Sequence, residues 1–205
     1  MEKYKKTVGS FLRYQYLPHL AAAVVFQIGA GAILSFRNLD AQGAAKVMEM
    51  YACLCGIILL VPVFMPESDR AVCQLEQSKA IPMWKLYLGR MAVAVLLVAA
   101  VAGMFILRLW AGGSLFPAWI LWRGTFCESL FLGAIGFFVC AVTNQAVLGY
   151  MVSVVYYVAN IGAADRLGKF GLYPVLRGDT ATWPWLLAAA LLLMAAGIWL
   201  RERKR

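Results

Sequence analysis

One histidine stands among 205 residues, and the charged residues together make only 14% of the chain. These scarcities exclude more than any single residue reveals. Hydrolysis inside a membrane usually draws on a Ser–His pair, paired aspartates or a metal-binding cluster. The lone His19 lies near the start of the first apolar stretch, where it reads as an interfacial or packed residue. No aspartate falls inside an apolar stretch, and GxSxG, HExxH and CxxC are all absent. Nucleotide binding lacks its loop as well. Gly168-Lys169 is the one Gly-Lys pair, yet Phe170 follows it and Ala163 holds the place of the first glycine of GxxxxGK[ST]. The chain is therefore expected to be no enzyme and to bind no cofactor or metal.

What is present is apolar: 63% of the residues. Six hydrophobic stretches run over about 16–36, 48–65, 86–107, 126–142, 146–164 and 183–200. A bilayer core about 30 Å thick needs about 20 such residues at 1.5 Å rise each. None alternates with period two, which argues against a transmembrane barrel. The expectation is an all-α polytopic membrane protein with six transmembrane helices in a single domain spanning 1–205. Residues 1–16 read as a retained segment rather than a cleaved signal peptide.

Five cysteines, at 53, 55, 73, 127 and 140, imply no disulfide framework. Four fall within apolar stretches, where a thiol behaves as a small hydrophobe. Cys53 and Cys55 are two apart and so point to different faces of a helix.

The net charge of +9 could suggest a nucleic-acid partner, but its placement points to anionic lipid headgroups. With both termini inside, twelve of the nineteen Lys and Arg fall on the inner segments and seven on the outer ones. The positive-inside rule then favours cytoplasmic termini. Tyr4, Val8, Phe11 and Leu12 recur at helical spacing among Lys3, Lys5, Lys6 and Arg13, the pattern of an interfacial amphipathic helix over 1–16. Pro18 marks the start of the first span, while Pro62 and Pro66 bend or end the second.

Residues 67–85, ESDRAVCQLEQSKAIPMWK, form the most polar internal stretch. They read as a short inner helix that stops near Pro82, with Trp84 and Lys85 at the interface. SLFPAWILW, residues 114–122, is too short to cross and is expected to skim the outer interface. Thr143-Asn144-Gln145 makes a minimal inner turn. Residues 165–182 form a sizeable outer connection, re-entrant or interfacial, with partial helix.

Three patterns carry chemistry or packing. Glu128 reads as the acidic residue set within a span. It is either a substrate or proton-coupling site, or half of an interfacial ion pair with Arg123 reaching back. Tyr150, Ser153, Tyr157 and Asn160 are spaced 3, 4 and 3 and share one helix face, for packing or for lining a pathway. Ser129 with Gly133, and Ala99 with Gly103, give small-xxx-small spacing for helix contact.

This layout resembles the permease subunit of type 2 ABC exporters. The family's inner loop runs through an acidic and basic stretch, Gly-Thr, Leu-Glu, Pro and Leu-Gly-Lys. Here Glu67, Asp69 and Arg70 are followed by Leu75-Glu76, Pro82 and Leu88-Gly89-Arg90. Cys73-Gln74 stands where the family prefers Gly-Thr, and Arg90 where it has Lys. The resemblance implies that 67–82 is a cytoplasmic coupling helix between spans two and three. Glu67, Asp69, Arg70, Leu75, Glu76 and Pro82 would dock on a separate ATP-binding subunit carrying the Walker A loop, ATP and magnesium. A second permease copy, or a related one, would complete a pathway touching Tyr150, Ser153, Tyr157, Asn160 and Glu128. The setting implied is a bacterial inner membrane, with an amphipathic peptide, lipid or drug exported by alternating access. A self-contained secondary carrier or channel using Glu128, and a non-transporting immunity or scaffold protein, remain open.

Topology is directly measurable. A cysteine placed at Lys169 is expected to react with an impermeant maleimide added to intact cells, and native Cys73 is not. The opposite pattern would reverse the orientation.

Overall fold

The computed structural model describes residues 16–34, 36–68, 83–178 and 181–203. The amphipathic segment 1–15 and the coupling segment 69–82 lie outside the described residues. So do Asp69, Arg70, Leu75, Glu76 and Pro82, and for Glu67 only the backbone is described.

The described residues are helical with no strand. Helix α1 spans Leu17–Ile33, with Pro18 in its first turn, where a missing amide donor does no harm. Helix α2, Ala41–Met50, starts at Asp40, whose side chain accepts the Gly43 amide at 2.8 Å. The chain continues through a 3-10 turn, Ala52–Leu54, into α3, Cys55–Leu60, and a second 3-10 stretch, Val61–Ser68. As expected, the α-helix ends just before Pro62, giving way to the tighter 3-10 stretch, and the membrane-length run closes at Pro66. Helix α4 covers Met83–Ala111, α5 Ala118–Thr143, α6 Ala146–Ala163 and α7 Trp183–Arg203. A 3-10 segment, Ala164–Phe170, leads from α6 toward α7.

Four helical runs are long and apolar enough to cross a membrane: Ala41–Pro66, Trp84–Ala111, Ala118–Thr143 and Trp183–Arg203. Leu17–Gly31 and Ala146–Gly162 are shorter apolar helices. The first and third of these runs begin well before the hydropathy does. Ala118 to Trp122, expected to skim the interface, instead form the first turns of α5 after Pro117. The Trp119 and Trp122 rings stack 5.5 Å apart on its flank.

Helix α5 is the hub, packing against α3, α4, α6 and α7, while α1 leans on α3 and α4. Small residues set these distances. A Cβ on Gly56 would lie 1.9 Å from the Ser129 carbonyl oxygen, and one on Gly133 would lie 2.5 Å from the Gly56 carbonyl oxygen. The Ser129/Gly133 pair thus receives the backbone of α3. The Ala99/Gly103 pair receives a side chain instead: the Trp122 indole donates to the Ala99 carbonyl at 3.3 Å. All four described cysteines are buried free thiols in helical segments.

The two ends of the bundle are fixed by their turns. Asn144 adopts a left-handed conformation (φ 60°), closing α5 onto α6. At the opposite end, here termed distal, the Asn38 amide donates to Gly112 and the Leu115 amide to Leu39. Arg108 donates to the Gln27 carbonyl at 2.7 Å and lies over the Phe36 ring.

Gly56→Ala is expected to destabilise the fold by about 1–3 kcal/mol through overpacking against α5. Gly29→Ala, where a Cβ meets nothing within 4 Å, should be neutral or slightly stabilising. Thermal unfolding in detergent separates them, and equal melting points would sink the close-contact account.

Candidate functional site: a carboxylate-clamped loop at the distal end

The segment Gly171–Pro174 is buried although it forms no regular helix or strand. Irregular backbone without water must find other acceptors for its amides. Here each amide from residue 172 to 176 has one. The Leu172 amide donates to Asn160 Oδ1 at 2.8 Å, and the Tyr173 amide to Glu128 Oε1. Pro174 has no amide to satisfy. The Val175 and Leu176 amides donate to Glu49 Oε1 and Oε2, each at 2.8 Å. The acceptors come from α6, α5 and α2, so one short loop ties three helices together.

The loop's own turn explains why the amides are available. Arg177 donates its amide to Tyr173, and Gly178 donates to Val175, which leaves the amides at the start of the turn outside any backbone pair. Consecutive outward amides of this kind form a concave anion site, and Glu49 fills it with both oxygens. Tyr173 pays for the geometry with a left-handed backbone (φ 69°), a conformation that for a bulky residue costs on the order of 1–3 kcal/mol. Its ring meets Tyr157 edge-on at 6.1 Å. Burial, then the neighbouring Cys53 and Tyr157, push the Tyr173 phenol above its ordinary value of 10.

Glu49 and Glu128 are both 0% exposed. They interact electrostatically with one another, Arg177 acts on Glu49, and Cys53 is near enough to feel both carboxyl groups. Gly124 makes room: a Cβ there would lie 3.0 Å from Val175 Cγ2 and 3.7 Å from Glu49 Oε1. Three buried polar atoms on α5 have no hydrogen-bond partner among the described residues: Arg123 Nε, Thr125 Oγ1 and Glu128 Oε2.

No protein-family model, curated protein or solved structure matches this chain. The site therefore stands on its own geometry.

That geometry departs from the sequence expectations at several residues. Arg123 does not reach back to Glu128. Five positions apart on one helix, the two diverge, and the Arg123 guanidinium lies over the Trp183 ring at 4.4 Å. Glu128 lies nearly three turns from the start of α5. It follows Ala118 by ten residues, about 15 Å along the axis. The sequence points to one carboxylate within a span, but among the described residues two are buried there, Glu49 and Glu128. Glu49 sits at the margin of the second apolar stretch, yet α2 starts at Asp40 and carries it inside.

The stripe on α6 turns inward. Ser153 donates to the Leu132 carbonyl at 3.0 Å and Tyr157 to the Met50 carbonyl at 2.6 Å. Asn160 donates to Tyr156 on its own helix while accepting from Leu172. Tyr150 is half-buried against the core. Glu128, Tyr157 and Asn160 are gathered around the loop, whereas Ser153 and Tyr150 lie further along α6. Among the described residues no group of three His, Cys, Asp or Glu is placed to hold a metal ion.

Glu49→Ala leaves two part-buried amides without an acceptor, at up to about 1 kcal/mol each, so the loop should open more often. Trypsin cleavage after the exposed Arg177 is expected to accelerate about tenfold or more in detergent, with Glu49→Gln in between. An unchanged cleavage rate would remove the clamp.

Proposed function

We propose that the chain is the non-catalytic transmembrane subunit of an ATP-driven exporter of the type 2 ABC kind, working as a dimer with itself or a related permease in a bacterial inner membrane. The observation that carries this reading is the charged stretch from Glu67 to Pro82 set between two apolar helices. Its flanking elements, Val61–Ser68 and α4, pack on one another, and α4 and α3 both pack on the hub α5. A push on that stretch from an ATPase would pass to both helices and then to the hub. Glu67, Asp69, Arg70, Leu75 and Glu76 would form the docking surface, and Pro82 would end it. Residues 1–16 would lie beside it on the cytoplasmic leaflet.

In this reading the cargo is an amphipathic peptide, lipid or drug, and ATP and magnesium belong to the partner. The α6 stripe is a hinge region rather than a fixed pathway wall. Ser153, Tyr157 and Asn160 spend their polar atoms on backbone partners, and a rearrangement that released them would expose them to the path between two subunits. A second reading, a self-contained carrier using Glu128, is favoured by the unpartnered oxygen of that buried carboxylate.

Gentle detergent purification of the tagged chain from its native membrane, followed by peptide sequencing, tests the first reading. A stoichiometric partner carrying GxxxxGK[ST] is the expected result, lost on Glu76→Lys and kept on Glu128→Gln. A chain that stays alone after crosslinking would refute it, and transport abolished by Glu128→Gln alone would favour the carrier.

A further inference from the structure

The Glu49–Glu128 cluster is built with one oxygen left over. Of four carboxylate oxygens, three accept loop amides, from Tyr173, Val175 and Leu176. The fourth, Glu128 Oε2, has no partner among the described residues, and neither does Thr125 Oγ1. Thr125 is three residues before Glu128 on α5, which puts both on one helix face. Both are 0% exposed.

Two ionised carboxyl groups buried together repel, and an unpaired carboxylate oxygen in a dry site is costly. From the loop, Arg177 acts on Glu49, but its side chain is exposed. Tyr173 on the loop, Tyr157 and Asn160 on α6, and Cys53 on the 3-10 turn contribute neutral groups. Arg123 on α5 is turned to Trp183.

We propose that Glu128 Oε2, with Thr125 Oγ1 on the same helix face and Glu49 close enough to act on it electrostatically, binds one monovalent cation, a proton or an alkali-metal ion. This cation neutralises the pair and so keeps the 171–177 loop seated. The site does not rest on either reading of the transport function, because it follows from burial and hydrogen-bond accounting alone. A proton would sit on Oε2. An alkali ion would take both oxygens as ligands, in keeping with the oxygen preference of hard cations.

Two measurements on the purified full chain in lipid nanodiscs decide the matter. Infrared difference spectroscopy at neutral pH reads the carbonyl stretch of a solvent-shielded carboxylic acid. Melting temperature is followed in parallel as sodium or potassium chloride replaces choline chloride at constant ionic strength. A proton gives an acid band that is insensitive to the salt and absent in Glu128→Gln. An alkali ion gives no acid band but raises the melting temperature, and Thr125→Val moves the midpoint of that titration up about tenfold, the equivalent of 1.4 kcal/mol. Wild-type protein with neither an acid band nor an alkali-specific shift overturns the proposal, whatever the folding yield of the variants.

Discussion

A backbone amide buried away from water must be paired within the protein, and in a bilayer that rule leaves helix as the default. The loop at 171–178 is a departure from that default, and it is tolerated only because side chains take the part that water would play. Asn160, Glu128 and Glu49 supply the acceptors, and proline removes the single amide that has none. Much else at the distal end follows from this. Gly124 is small so that Glu49 and Val175 can approach α5. The left-handed Tyr173 is held in place by bonds on both sides of it. The same carboxylates that satisfy the backbone bring two charges into one dry volume, so a cation becomes part of the structural question.

The hub obeys a different constraint. Between helices in lipid there is little hydrophobic drive, and contact depends on close packing of small residues. Around α5 that contact is made twice with backbone near backbone, at Gly56 against Ser129 and at Gly136 against Gly149, and once with an indole against Ala99. The apolar faces left over, such as Val155 and Val158 on α6 or Leu191 and Leu192 on α7, are exposed. For a chain with four membrane-length apolar helices, such faces suit lipid or a neighbouring subunit.

The helical class, the tight turn at Asn144 and the inward face of the α6 stripe were legible in the sequence, because each rests on a local pattern: apolar run, turn residue or period. The start of the helices was less legible. Hydropathy rises only after Met48 and Phe126, whereas the backbone commits at Asp40 and Pro117 through capping and φ restriction. That offset placed Glu49 and Glu128 close to the edges of their apolar stretches, although each lies well inside its helical run. Its partner was hidden for another reason. A spacing argument can pair Arg123 with Glu128, but it cannot foresee that a loop some forty residues later brings an amide to the carboxylate. Long-range contacts of this kind leave no periodic trace. A single glutamate in an otherwise apolar margin, and a Tyr-Pro step in a connection, were the faint signals available.

The order of these groups along the chain has a consequence for biosynthesis. Glu49, Glu128 and Asn160 all precede the loop whose amides they accept. As the chain is made from its N-terminus, each acceptor is already in place when its donor emerges, with α7 still to follow. Seating of the loop therefore reads out whether α2, α5 and α6 have been inserted in the right arrangement. A misinserted helix would leave the loop without its acceptor and present a quality-control protease with an open, cleavable strand before synthesis is complete.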